Sequence, residues 1–359
     1  MGRRRLSSFP AAALSRRGFL GRSLAVATVL PVAGRAAFAQ EQSVNVYNWD
    51  TYIGENTLDE FTDQTGIAVR YDLFASNDEL FAKLREGNPG YDVIFPSNNF
   101  VERMIVAKML EPLDHAKIPN LANLSPRFQN PDFDPGLKYS AAYFWGTQGL
   151  GYRMSAAEPA AWADIMESDK YAGRVALLND TDIIRMALKY LGHSLNSSNP
   201  AEITAAQDAL IKAKPNFKAF APDTGQDLLI SGEVDVCMEW SGDITQVMSE
   251  DDDLSYVVPK EGSLLWVDNM AIPVGAPHVD NAHAFINFIL EPQVHADIAM
   301  EVRFALPNAK ALELLPAEDR DNRVIYPDEA TLAKCEFAIY KGEEIEGLYE
   351  TALTRVLSA

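Results

Sequence analysis

Residues 43–49 read S-V-N-V-Y-N-W, an apolar/polar alternation of period two that predicts a half-buried strand over 44–49. The period then changes. Leu58 and Phe61 share a helical face in 57–65, which stops at Gly66, and a second strand is predicted over 68–74. Leu80, Phe81 and Leu84 make 77–86 an amphipathic helix capped by Asn77, and Y-D-V-I-F-P (91–96) reads as a short buried strand. Strand, helix, strand, helix, strand is the unit of an open parallel sheet. A second series follows: strands over 174–178, 234–240 and 254–258, and helices over 182–191 and 201–214. The segment 264–274, L-L-W-V-D-N-M-A-I-P-V, is long enough to pass between two domains. A helix over 281–290 and another opened by Pro292 complete the pattern. There is no internal repeat and no low-complexity tether, so two α/β lobes joined by crossing segments are expected.

Unusual residues gather just after predicted strands: Trp49-Asp50, Ser97-Asn98-Asn99, Asn179-Asp180-Thr181-Asp182 and Trp240-Ser241-Gly242-Asp243. In open α/β sheets ligands bind beyond the carboxyl ends of the strands. These clusters, with Trp266 and Asp268 on the crossing segment, therefore point to one cleft between two lobes. Trp49, Trp240 and Trp266 each stand within three residues of an aspartate: 50, 243 and 268. A tryptophan face beside a carboxylate suits an ammonium, which is drawn to the ring quadrupole and hydrogen-bonded by the acid. The carboxylates are needed because a cation–π contact of about 0.5–2 kcal/mol does not offset burial of a cation. Asp180 and Asp182 flank a helix start, where capping is the commoner use of D-x-D.

The first 39 residues have a different character. Ser15-Arg16-Arg17-Gly18-Phe19-Leu20 is a twin-arginine signature, an apolar stretch over 24–32 follows, and Ala37-Phe38-Ala39 reads as a cleavage site. The stretch falls short of the roughly 18 residues a membrane span needs. An exported, periplasmic chain cleaved after Ala39 is expected. Removing the leader's seven arginines takes the net charge from −20 to −27. Such a chain does not attract nucleic acid or anionic lipid through its general field, although it draws cations. With only Cys237 and Cys335 it is no disulfide scaffold, and whether these two pair stays open. Five scattered histidines without metal-ligand spacing point to no metal and no cofactor. No nucleophile elbow, P-loop or dinucleotide fingerprint is present, so a binding protein is expected and no catalytic residue is assigned. Aromatic platforms beside acids also suit sugars, which leaves a glycan-acting enzyme as a remote alternative.

The motifs Y-N-W-D-T-Y-I, Y-D-V-I-F-P-S, Y-F-W-G-T-Q-G-L-G (143–151), M-A-L-K-Y-L-G (186–192), M-E-W-S-G-D (238–243), P-K-E-G (259–262) and L-W-V-D-N-M-A-I-P (265–273) resemble, in order and spacing, the periplasmic spermidine/putrescine-binding proteins of ABC importers. The resemblance implies an α/β clamshell of the periplasmic-binding-protein type, with an open, mostly parallel sheet flanked by helices in each lobe. The expected division is residues 43–144 with 269–314, and 145–268 with 315–359. It implies a polyamine ligand and, as partners, a membrane permease with its ATPase; the protein itself is expected to act as a monomer. Trp49 and Trp240 match the pair that sandwiches the methylene chain, and Trp266 a further aromatic wall. Asp268 matches the acid that grips a terminal ammonium, Asp182 an acid from the second lobe, and Asp243 a position acidic in putrescine-type members. Tyr52 and Ser97 match further pocket positions.

Several positions depart from the family pattern. The carboxylate after Trp49 comes one residue early, as Asp50-Thr51, and on an extended segment that turns it to the other face. Asn99 stands where spermidine binders often carry tyrosine, and Phe304 lacks the hydroxyl of a frequent tyrosine. Glu239 is an unusual charge within a strand. Putrescine is favoured over spermidine, with agmatine, cadaverine or a sensor role as alternatives.

Overall fold

The computed structural model describes residues 42–222 and 224–359. The expected leader, with its twin-arginine signature and cleavage site, lies outside them. Among the described residues ten strands are formed: β1 (Ser43–Trp49), β2 (Ala68–Phe74), β3 (Val93–Ile94), β4 (Ser140–Arg153), β5 (Val175–Leu178), β6 (Phe217–Ala221), β7 (Val236–Trp240), β8 (Leu254–Val257), β9 (Leu264–Ala271) and β10 (Glu336–Phe337). Their order is β2-β1-β3-β9-β4-β7-β5-β6, with β10 added to β9 and β8 to β4.

Two lobes share this arrangement through one strand. Residues 140–147 of β4 pair with β9, whereas its residues 148–153 pair with β7 and β8. β4 is thus the outward crossing, and its 14 residues are almost all buried because both lobes pack on it. Each lobe is less uniformly parallel than expected. The pairs β1–β2, β1–β3, β5–β6, β5–β7 and β9–β10 are parallel, and every antiparallel pair contains β4 or β9. The return crossing precedes β9 rather than running along it, since all of β9 pairs within the first lobe and β8 within the second. A third passage follows β10 and leads to the C-terminal helix Glu343–Ser358.

Two large cores match the two lobes. One gathers Val44, Val46, Phe61, Ile94, Phe144, Phe285 and Ile289, with Phe61 edge-on to Phe285 and Phe288. The other gathers Leu150, Trp162, Ile184, Leu210, Met238 and the C-terminal helix through Tyr349, Ala352 and Val356. Ile325, Leu332 and Ala338 join the first core, so the tail divides between lobes instead of belonging to the second as expected.

Helix Thr57–Thr65 ends at Gly66 as the pattern predicts. Helix Asn77–Arg85 is capped by Ser76, whose side chain accepts from Glu79 N–H, and not by Asn77. Cys237 and Cys335 are both free. No helix among the described residues is long and apolar enough to cross a membrane.

Candidate functional site

Beyond the carboxyl ends of β1, β5 and β7 lies a cavity of about 240 Å³. Trp49, Asp50, Thr51, Tyr52, Ser97, Asn99, Asp180, Asp182, Trp240, Asp243, Trp266, Asp268 and Phe304 all line it, whereas Asn179, Ser241 and Gly242 of the same strand-end clusters are not on its wall. Helices Asn77–Arg85, Asn98–Val106, Asp182–Tyr190 and Ser241–Val247 begin at this cavity. A ring of helix N-termini is a positive electrostatic environment. First-turn acids Asp78, Asp182 and Asp243, all at the cavity wall, set carboxylates against that field.

Asp268 is held ready. Tyr52 Oη donates to its Oδ2 at 3.0 Å and Ser97 Oγ to its Oδ1 at 2.6 Å. Ser97 is fixed in turn by Asn77, whose Nδ2 donates to Ser97 Oγ at 2.9 Å while its Oδ1 accepts from Ser97 N–H at 3.1 Å. Burial, then the field of Asp268, pushes the Tyr52 hydroxyl well above its usual range, and Asp243 adds to the shift. Tyr52 therefore stays a neutral donor.

The aromatic wall is a chain of rings at nearly right angles. Trp240 meets Trp266 at 6.0 Å and 85°, Trp266 meets Phe304 at 5.4 Å and 77°, and Phe304 meets Tyr52 at 5.1 Å and 84°. Two motif glycines exist to seat these rings. A Cβ on Gly146 would come within 2.7 Å of Trp266, and one on Gly242 within 1.9 Å of Phe304. The missing hydroxyl at Phe304 thus coincides with a ring pressed against backbone. Trp49 is fixed from behind, its Nε1 donating to Phe95 O at 2.9 Å and its ring tilted on Phe74.

The departures resolve differently. Asp50 and Thr51 are exposed at the rim, Asp50 Oδ1 accepts Thr51 N–H, and Thr51 has φ of 49°, a left-handed conformation unusual for a β-branched residue. Glu239 turns away from the cleft, fully buried, and accepts Gly225 N–H at 2.8 Å. It pins a loop.

Asp182 differs from Asp268. Its Oδ1 lies 3.3 Å from Arg185 Nε and its Oδ2 accepts from Gln148 Nε2 at 3.5 Å. Burial raises its pKa, against the lowering effects of Arg185 and Gln148. Asn77, Asp78, Gln148 and Arg185 escaped the sequence reading. The strand-end rule would have found the first two, since A-S-N-D follows β2 directly. Nothing in the local pattern marks Gln148 or Arg185.

A two-lobed α/β clamshell with a polar and aromatic cleft at its strand ends is the architecture of a solute-binding protein. The chain belongs to the bacterial extracellular solute-binding protein family, whose profile matches residues 56–322. It is 35% identical over 322 residues to the spermidine/putrescine-binding periplasmic protein of Salmonella typhimurium, covering 88% of this chain and 92% of that one. It is 34% identical to the putrescine-binding periplasmic protein SpuD of Pseudomonas aeruginosa, covering 92% and 95%. Among solved structures, the spermidine/putrescine ABC transporter substrate-binding protein PotD of Streptococcus pneumoniae superposes with a TM-score of 0.80 at 35% identity, covering 88% of this chain and 99% of that one. These relatives are named as binding proteins, not enzymes.

Proposed function

We propose that this chain is the periplasmic component of an ABC importer that captures polyamines in the cleft and delivers them to a membrane permease, with putrescine preferred to spermidine. The observation that carries the reading is Asp268, a carboxylate set by two hydroxyls on the wall of an aromatic cavity. An extended diamine spans roughly 6 Å between its nitrogens by ordinary bond lengths. Its methylenes would lie between Trp49 and Trp240, with Trp266 beside them. One ammonium would meet Asp268, and the other the acids of the second lobe, Asp182 and Asp243. Asp50, Thr51, Asn99 and Asp180 would complete the rim. Because both lobes contribute, ligand favours the closed form, and closure creates the surface the permease reads. The preference for putrescine draws support from Asp243, which lies on the cavity wall at a position that is acidic in the putrescine-type proteins the chain resembles. The names and close similarity of the relatives support the ligand class and the periplasmic setting.

Calorimetric titration of the mature protein, unfolded and refolded to strip bound ligand, tests this. Saturable 1:1 binding of both amines, tighter for putrescine, is the expected result. Tighter spermidine binding overturns the preference, and no heat from either overturns the polyamine reading.

A further inference from the structure

Behind Asp182, away from the cavity, lies a buried ionic cluster. Arg185 is only 3% exposed. Its Nε faces Asp182 at 3.3 Å, and its Nη2 faces Glu346 of the C-terminal helix at 3.6 Å. Nη1 donates to Leu195 O and to Asn196 Oδ1, both at 3.3 Å, and the guanidinium lies 4.7 Å from the centre of the Tyr349 ring. The arginine is held by its Nη1 hydrogen bonds, by Glu346 and by the Tyr349 ring, while its Nε faces Asp182 at ion-pair distance without a formed hydrogen bond, so Asp182 stands between a fixed cation and the cleft. A carboxylate so placed still accepts hydrogen bonds toward the cavity, but much of its attraction for a second cation is cancelled by the first.

We propose that Arg185 is a specificity-determining positioning residue: it compensates the charge of Asp182, so that this end of the cleft accepts a neutral hydrogen-bond donor nearly as readily as an ammonium. The inference rests on the polyamine reading and deepens it. The ligand class it adds is a linear monoamine ending in a hydroxyl or amide donor. Glu346 has the opposite influence, because it competes with Asp182 for the same guanidinium. Asp180, which accepts Asp182 N–H at 2.9 Å, and Asp243, on the same cavity wall, are present in every variant below and weight each comparison equally.

The probes are putrescine and 4-aminobutan-1-ol, which match in length and differ in charge at one end. The quantity read is the ratio of their dissociation constants by calorimetry. In the wild type the alcohol should bind within about tenfold of the diamine. Arg185→Met should widen the ratio by about tenfold, since an ammonium then supplies the missing counter-charge. Arg185→Lys should return it toward the wild type. Glu346→Gln, a partly exposed position, should narrow it by leaving Arg185 to Asp182 alone. Changes of opposite sign from Arg185→Met and Glu346→Gln are the signature of charge compensation. A purely structural role weakens both probes in proportion and leaves the ratio fixed, which would falsify the proposal. Should Arg185→Met fail to fold, an unchanged ratio in Glu346→Gln overturns it alone. A wild type that binds putrescine but rejects the alcohol overturns this inference and keeps the polyamine reading, whereas silence toward both probes overturns the two together.

Discussion

Asp268 and Asp182 face one cavity from opposite lobes, and their surroundings differ in kind. Asp268 is oriented by hydroxyl dipoles from Tyr52 and Ser97. Behind it lie aromatic rings: Tyr52 is edge-on to Tyr143, and Tyr143 stacks on His295 at 5.7 Å and 8°. Asp182 is backed by Arg185 and, beyond it, Glu346. A dipole steadies a carboxylate without cancelling its charge, whereas a guanidinium at ion-pair distance cancels much of it. On the proposed reading, two acids of the same type serve different ends: Asp268 for binding strength, Asp182 for tolerance of what binds there.

The largest consequence concerns binding. Asp268→Asn keeps the shape and removes the charge, leaving a ligand ammonium buried without its partner, and should cost about 2–5 kcal/mol of putrescine affinity. Asp182→Asn should cost roughly 1 kcal/mol, the scale of an ordinary hydrogen bond. Calorimetry on both variants measures the contrast directly. Equal losses would break it, and a larger loss at Asp182 would reverse it.

Acid should separate the two regions next. His295 is fully buried, donates from Nε2 to Tyr143 O at 2.8 Å, and is pushed from 6.5 down to about 4 by burial. Its neutral form is favoured by the fold, so the unfolded chain takes up the proton first. That stability is fully present above pH 6.5, falls as the pH drops, and is lost by about pH 4, amounting to roughly 3 kcal/mol. Asp182 and Glu346 have the opposite sign. Burial raises both, so their contribution is greatest in acid and is lost as pH rises through their folded values. Urea unfolding between pH 7.5 and 4.5 should therefore show a steep loss in the wild type that His295→Gln flattens. An unchanged slope in that variant would place the acid sensitivity elsewhere.

The contrast was half legible in the sequence. Asp268 lay in a motif, and the strand-end rule pointed to the cavity, because both depend on residues close together in the chain. Arg185 was invisible for a physical reason: at a helical spacing of three from Asp182 it reads as an ordinary solvated i,i+3 pair. Its burial is created by the C-terminal helix, about 160 residues away, which brings Glu346 and Tyr349 over it. The crossing strand β4 was missed likewise. Apolar and small residues dominate both of its faces, so no alternation marks it, and its length shows only when both lobes pair with it. Glu239 looked like an anomaly until Gly225 supplied its donor.

The smallest effect sharpens the Asp268 side. Thr51 sits one residue before Tyr52 with φ of 49°, where a β-branched side chain is crowded by its own backbone. Asparagine tolerates that conformation better and is equally polar. Thr51→Asn should therefore stabilise the unliganded protein by about 1 kcal/mol, visible as a small rise in the urea midpoint with unchanged slope. Putrescine affinity distinguishes two uses of the strain. If the turn merely tolerates threonine, affinity stays at the wild-type value. If the strained turn sets the angle at which Tyr52 meets Asp268, relaxing it loosens that hydroxyl and affinity falls as stability rises. The second outcome is expected, because Tyr52 is buried and its hydroxyl is fixed to Asp268 while Thr51 itself is exposed. Strain held in a freely solvated residue has no reason to persist unless its buried neighbour requires the turn.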